Sequence, residues 1–323
     1  MKFLHKALLS LLLPFSAMAA DPVNLRLAHE FPIAHPFSQG IEVAAKSIAE
    51  ESKGRIKIQV LPASQLGSGR EIVQQISTGT IDMGFTGAGM LGNWHKPIGI
   101  FEAPFIAKDW NNWKAMFESP TGLAVQAELE KKTSIMRMGA PWYGGQRHFT
   151  TKNKAINTPD DLKGMKIRVP EVPLFLDMIR SVGAQPTPMP LAEVYLALQT
   201  GTIDGQENPL PTINGAKLQE VQKHISLTGH VISGLWPVVN SKAWAKLSEQ
   251  DRQIILRGMA KGAAHSNDIL FGQEASLVND FKAKGVVFTN PDKVAFAKAM
   301  EAVYAKNEEV WGKGLLSNLQ KLK

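Results

Sequence analysis

"STGTIDMGF" at residues 77–85 and "QTGTIDGQEN" at 199–208 decide the fold. Both contain Thr-Gly-Thr-Ile-Asp, 122 positions apart. In each copy an amphipathic helix (70–78; 191–200) runs into a glycine, the residue that most readily takes the left-handed conformation closing a helix. Thr-Ile-Asp then opens the next strand. Five matching residues mean little alone, but the same architecture on both flanks points to two lobes built on one plan.

Working outward from the first copy, "VNLRLAHE" (23–30) alternates like a strand and residues 37–53 carry apolar side chains at helical spacing. "RIKIQVLP" is a second strand, Ser68 to Thr78 a second helix and "TIDMGF" a third strand. This β-α-β-α-β alternation implies a mainly parallel α/β sheet. Residues 139–164 read as the crossing into the second lobe, with paired glycines suited to a hinge and a helix start at Thr158-Pro159-Asp160-Asp161-Leu162. Ser248 caps a helix that runs toward Lys284, long enough to lie across both lobes.

Composition narrows the function. The chain has 323 residues, 44% apolar and 20% charged, as in an ordinary globular protein. Lys2 and Lys6, an apolar run and Ala17-Met18-Ala19 make a signal peptide cleaved near Ala19, so the mature chain is expected to be exported to the periplasm. The formal charge is +7, and +5 without the two signal lysines. Basic residues are scattered and aromatics sparse, which argues against a nucleic-acid partner. The absence of cysteine excludes thiol catalysis and Cys-type metal sites.

"GAGMLG" (87–92) has dinucleotide-loop glycine spacing, but the helix and acidic residue that complete that fingerprint do not follow. It reads instead as a tight loop beside a cleft. His29, Glu30 and His35 do not share a helix face and read as loop residues, not a metal site. No Gly-x-Ser-x-Gly elbow occurs. No cofactor, metal or catalytic residue is therefore expected.

Two arginines stand out. Arg147 lies in "GGQRHFTT", and Arg168 in "GMKIRVPEVP" (164–173), at the end of a short strand stopped by Pro170. Ligands of open α/β sheets bind beyond the carboxyl ends of strands, and a guanidinium holds a carboxylate bidentately.

At "PASQLG" (62–67), "INTPDDLKGMKIRVP" (156–170), "GAQPTPMPLAEVYLALQTGTIDGQENP" (183–209) and "LSEQDRQII" (247–255), the chain resembles solute-binding proteins of tripartite ATP-independent periplasmic (TRAP) transporters, DctP type. The resemblance covers essentially the whole mature chain. It implies a two-lobed periplasmic-binding-protein-like α/β fold with hinge strands and a long helix spanning both lobes. It also implies a ligand held in the cleft and passed to small and large membrane subunits driven by an ion gradient. Arg168 is then the anchor for the ligand carboxylate, with Arg147 and Asn208 assisting. Sialic-acid-binding members carry an arginine where this chain has Met90, and an acidic pair where it has Ser68-Gly69. Ectoine-binding members resemble it at the "AHE" of Glu30.

The resulting expectation is a non-enzymatic, monomeric receptor for a small carboxylate, zwitterionic or hydroxylated. Glu30 and Glu171 would read the far end of the ligand, and Trp236 or Trp142 would wall the cavity. A dicarboxylate would bring its second charge against these glutamates at low dielectric. Alternatives are a sugar-acid or dicarboxylate receptor of the same family, an exported carboxylate-processing enzyme, or a ligand-presenting partner of a sensor. Lobe I is expected over 20–144 and 234–273, and lobe II over 145–233 and 274–323.

Overall fold

A computed structural model describes residues 21–322; the signal peptide expected over 1–19 lies outside the described residues. Strand β1 (Val23–Ala28), helix α1 (Pro36–Glu51), β2 (Ile56–Leu61), α2 (Gly69–Thr78) and β3 (Met83–Gly87) follow in turn. β1 pairs in parallel with β2 and β3, as the alternation requires. Local chemistry sets the boundaries. Pro36 starts α1 with His35 as cap, and Ser68 and Glu71 close a reciprocal capping box on α2.

A one-turn helix α3 (Ala88–Leu91), a 3-10 helix over Lys96–Glu102, α4 (Trp110–Glu118), α5 (Pro120–Thr133) and β4 (Ile135–Arg137) complete the first half. The second contains β5 (Trp142–Thr151), β6 (Lys166–Val169), α6 (Pro173–Ser181), β7 (Gln185–Pro188), α7 (Leu191–Thr200), β8 (Gly205–Pro209), α8 (Leu210–Gly215) and β9 (His224–Ser226). β10 (Ile232–Asn240), α9 (Ser241–Ala245), α10 (Glu249–Ala283), β11 (Val287–Thr289), α11 (Lys293–Trp311) and α12 (Leu315–Gln320) end the chain.

The sheet order is β2-β1-β3-β10-β5-β8-β6-β7. β5 and β10 are the crossing strands. β10 lies on β3 through residues 235–239 and on β5 through 232–235, with its register shifting between Ser233 and Gly234. β5 lies on β10 in its first half and on β8 in its second. The crossing expected over 139–164 thus contains a whole strand running through the paired glycines.

Two local expectations change. Gly79 and Gly201 do close α2 and α7, at φ 79° and 75°. Thr-Ile-Asp, however, forms the turn, and the strands begin at Met83 and Gly205. The helix start at Thr158 yields only a 3-10 turn over Pro159–Leu162, because Gly164 breaks it within two residues.

The 35-residue α10 spans both halves. Arg257 pairs with Glu51 at the end of α1, and Asp251 with Arg55. Farther along, Asn267 Oδ1 accepts the Tyr143 N–H at 2.9 Å, and the Tyr143 hydroxyl donates to Glu274 at 3.0 Å. The C-terminal helices also touch both halves, α11 packing on α6 and the 3-10 helix, and α12 on α5.

Candidate functional site

Where the halves meet, a cavity of about 70 Å³, measured to the centres of water-sized spheres, opens beside the ends of β3, β6 and β8. That is room for roughly five to seven water-sized positions. Phe31, Phe37, Met90, Phe175, Leu191 and Leu235 supply an apolar wall.

Arg168 enters from the third position of β6 and is only 3% exposed. Its Nε and Nη2 both donate to the Met189 carbonyl, at 3.0 and 2.7 Å. Its Nη1 has no hydrogen bond, and the group no ion pair, among the described residues. Burial pulls this guanidinium down to about 10, although Glu30 and Glu207 favour its charge from a distance. A buried cation without a countercharge is costly, and it lines the cavity.

Arg147 is differently placed. Nη2 donates to Glu207 Oε1 at 2.7 Å and to the Glu207 carbonyl at 2.8 Å, while Nε meets Oε2. The guanidinium also stacks 5.0 Å over the Phe175 ring. Burial alone would push the Glu207 carboxyl up, but the Arg147 charge and hydrogen bonds, with His230 at 3.2 Å, hold it below the usual range. Arg147 lines the cavity with its charge already neutralised, leaving Nη1 without a protein partner among the described residues.

Asn208 is held by a relay. Its Nδ2 donates to Gln206 Oε1 at 2.6 Å, Gln206 donates to Thr150, and Thr150 donates to Gln222. The relay orients the Asn208 amide, which lines the cavity with its oxygen and one N–H unused.

Glu30 is half-buried and lines the same space. Burial raises its carboxyl above the usual range, opposed by the Arg168 and Arg147 charges. The carboxyl rests on the first turn of α2, so close that a Cβ on Gly69 would lie 2.9 Å away; that helix end favours the anion.

Two expected residues lie elsewhere. Glu171 is half-buried outside the lining and binds Asn93 through its carbonyl, at 3.1 Å, because Pro170 carries the chain away after β6. Trp236 is 1% exposed and packs on Phe117 (ring centroids 4.5 Å apart) and Trp113. Strand alternation explains this: Ser233 and Leu235 face the cavity, and Trp236 points to the opposite face of β10. Trp142 is also core, against Phe85 and Phe37.

Four lining residues escaped the sequence reading. Glu102 Oε2 accepts the Gly89 N–H at 3.0 Å. Ser233 Oγ is buried with no hydrogen-bond partner among the described residues. Thr86 lies beside them on β3. At Thr212, His35 sets the proton pattern. Its Nδ1 accepts the Phe37 N–H, and burial holds the ring neutral by lowering it to about 3. Nε2–H therefore donates to Thr212 Oγ1 at 3.1 Å, freeing the Thr212 hydroxyl hydrogen for the cavity.

The glycines of "GAGMLG" also find their reason here. A Cβ on Gly87 would stand 2.6 Å from Glu102 Oε1, and one on Gly89 2.3 Å from Oε2. They make room for a carboxyl, not a phosphate. Gly89→Ala is expected to cost about 1–3 kcal/mol of stability through overpacking, read by chemical denaturation; an unchanged midpoint would mean Glu102 is free to move aside.

Comparison with known proteins identifies the family and the fold. The family description "Bacterial extracellular solute-binding protein, family 7" (DctP) matches residues 27–309. The chain is 35% identical over 321 residues to the sialic acid-binding periplasmic protein SiaP of Vibrio cholerae, covering 99% of each chain. A TRAP periplasmic solute-binding protein from Bordetella bronchispeptica, with density interpreted as pantoate, superposes with TM-score 0.86 at 33% identity, over 93% of this chain and 99% of that one. Another from Roseobacter denitrificans, with bound L-galactonate, gives TM-score 0.87 at 29% identity, over 94% and 99%.

Proposed function

Because the chain belongs to the DctP family, it is a periplasmic, non-enzymatic receptor for organic acids of the TRAP type, and we propose that its ligand is a compact hydroxylated monocarboxylate with an apolar body. The observation that carries this reading is Arg168, a buried guanidinium lining the cavity with no carboxylate partner among the described residues. The ligand carboxylate supplies that charge. Asn208 and the spare Nη1 of Arg147 bind the same end. Ser233 Oγ and the Thr212 hydroxyl meet hydroxyl groups, and the six-residue apolar wall receives the carbon skeleton.

The apolar wall leaves few partners for a polyhydroxylated chain, which favours a short acid. Pantoate, assigned to density in the Bordetella relative, has the favoured combination of carboxylate, hydroxyls and branched methyl groups. The acidic side chain of Glu30 disfavours a second carboxylate on the ligand. Glu30 favours a second reading, a zwitterion whose cation faces that carboxylate.

Among the described residues no helix is long and apolar enough to cross a membrane. TRAP receptors imply membrane partners, and here the monomeric closed form would deliver the acid to small and large integral membrane subunits. The lobes would divide at 144/145 within β5 and at 233/234 in β10, where the strand register shifts.

A thermal-shift panel of D-pantoate, D-erythronate, D-galacturonate, N-acetylneuraminate, proline and malate tests the ligand class. The largest shift is expected with pantoate; a largest shift with malate or N-acetylneuraminate would overturn the proposal. Ser233→Ala should weaken a hydroxy acid by roughly tenfold, the scale of one lost buried hydrogen bond. It should leave the matching deoxy acid unaffected, and calorimetry with both reads the difference.

A further inference from the structure

Glu102 is a buried acid that the carboxylate-anchoring scheme does not use. It ends the 3-10 helix and is 8% exposed, lines the cavity and has no ion pair among the described residues. Oε2 is committed to the Gly89 N–H, whereas Oε1 has no hydrogen bond to the described residues. Two glycines are spent to seat it. The fold thus holds a carboxyl against the ligand with one oxygen free.

The charges around it make an ionised form hard to keep once an anion arrives. Arg147 on β5 carries a positive charge matched by Glu207 on β8. His230, bound to Glu207 and deeply buried, is lowered and neutral. Arg168 on β6 carries the remaining positive charge; Glu30, after β1, is raised by burial, but the Arg168 and Arg147 charges and the first turn of α2 favour its anion. With Glu30 ionised, the site is neutral when Glu102 is protonated. A bound carboxylate makes it singly negative, and an ionised Glu102 would make it doubly negative in a dry cavity.

We propose that Glu102 binds the ligand as a carboxylic acid, Oε2 accepting from Gly89 and Oε1 donating a proton to an oxygen of the bound acid. Capture of one anion then takes up a proton from solvent wherever Glu102 was ionised beforehand. This rests on the reading of the ligand as an anionic carboxylate.

The free group is already poised for this exchange. Burial raises the Glu102 carboxyl to about 7; Arg147 and the Gly89 N–H oppose the rise, and Glu207 and Glu30 add to it. Near that pH about half of the free receptor needs a proton. Burial raises the Glu30 carboxyl as well, but the Arg168 and Arg147 charges and the Gly69 N–H at a helix N-terminus oppose that rise, which makes Glu30 the less suited proton carrier.

Isothermal titration at pH 7 in phosphate and in Tris counts the protons, with D-pantoate, D-erythronate, D-galacturonate and N-acetylneuraminate as probes. The acid that binds should take up about half a proton, and its Kd should weaken by roughly five- to tenfold from pH 6.5 to 8. Glu102→Gln, which mimics the protonated form, should remove both effects. Glu30→Gln should change affinity but leave the uptake in place, no smaller than in wild type, because Glu30 adds to the rise of the Glu102 carboxyl. No uptake by the wild-type receptor, uptake that survives Glu102→Gln, or uptake lost in Glu30→Gln would overturn the inference and leave the carboxylate reading standing. Failure of all four acids to bind would overturn that reading and this inference with it. The wild-type measurement needs no variant to fold.

Discussion

Arg168→Ala should weaken capture of the acid by roughly two to four orders of magnitude, the largest binding effect expected of any single substitution here. Losing one partner of a buried charge pair costs about 3–5 kcal/mol, which sets that range. The free receptor should behave differently. Among the described residues Arg168 has no ion pair, only the Met189 carbonyl, so removing it relieves a buried cation. The ligand-free variant should melt no lower than wild type, while the stabilisation normally added by ligand disappears. Arg168→Lys should also bind poorly, because an ammonium cannot span a carboxylate with two parallel donors. Calorimetry decides: binding by Arg168→Ala within a few-fold of wild type would remove Arg168 as the anchor.

Glu207→Gln should have the opposite signature, a large loss of stability. It leaves Arg147 buried beside Phe175 without its ion pair, a cost of about 3–5 kcal/mol. In a chain of this length that lowers the melting temperature by about 5–15 °C. The pH dependence has a definite sign. Because the folded state holds the Glu207 carboxyl below its ordinary value, its contribution is complete above the unfolded-state pKa. It is lost as pH falls through the depressed folded-state value. The gap between wild type and variant should therefore narrow in acid, and a constant gap in melting temperature down to strongly acid pH would show that the ion pair is not its source.

The two arginines were legible for the same reason, as cations in short strands beside an expected cleft, yet they do different things. What separates them is a partner on another strand. Glu207 lies sixty positions from Arg147 in sequence, on the neighbouring β8. A clue was present: an acid in the middle of "GQENP", a strand whose five residues are all buried, needs a countercharge. Glu102 left a similar clue as the lone charge in the apolar run "IGIFEAPFI" (98–106). Glu171 stands close after Arg168 in sequence, but proximity along the chain does not place two side chains on one side of a proline turn. Trp236 was a coin toss of strand alternation, and the parity of β10 settled it toward the core.

By itself the sequence determined the α/β alternation, the helix-ending glycines, the long α10, the family and the two arginines that line the cavity. These depend on local rules: periodicity, caps, and motifs contained in continuous stretches of chain. Only the tertiary structure decided which arginine lacks an ion pair among the described residues, which glutamates line the cavity, and why "GAGMLG" has its glycines. Those properties depend on distances between strands far apart in sequence and on loss of solvent around charges. Neither exists until the sheet has closed around the cavity.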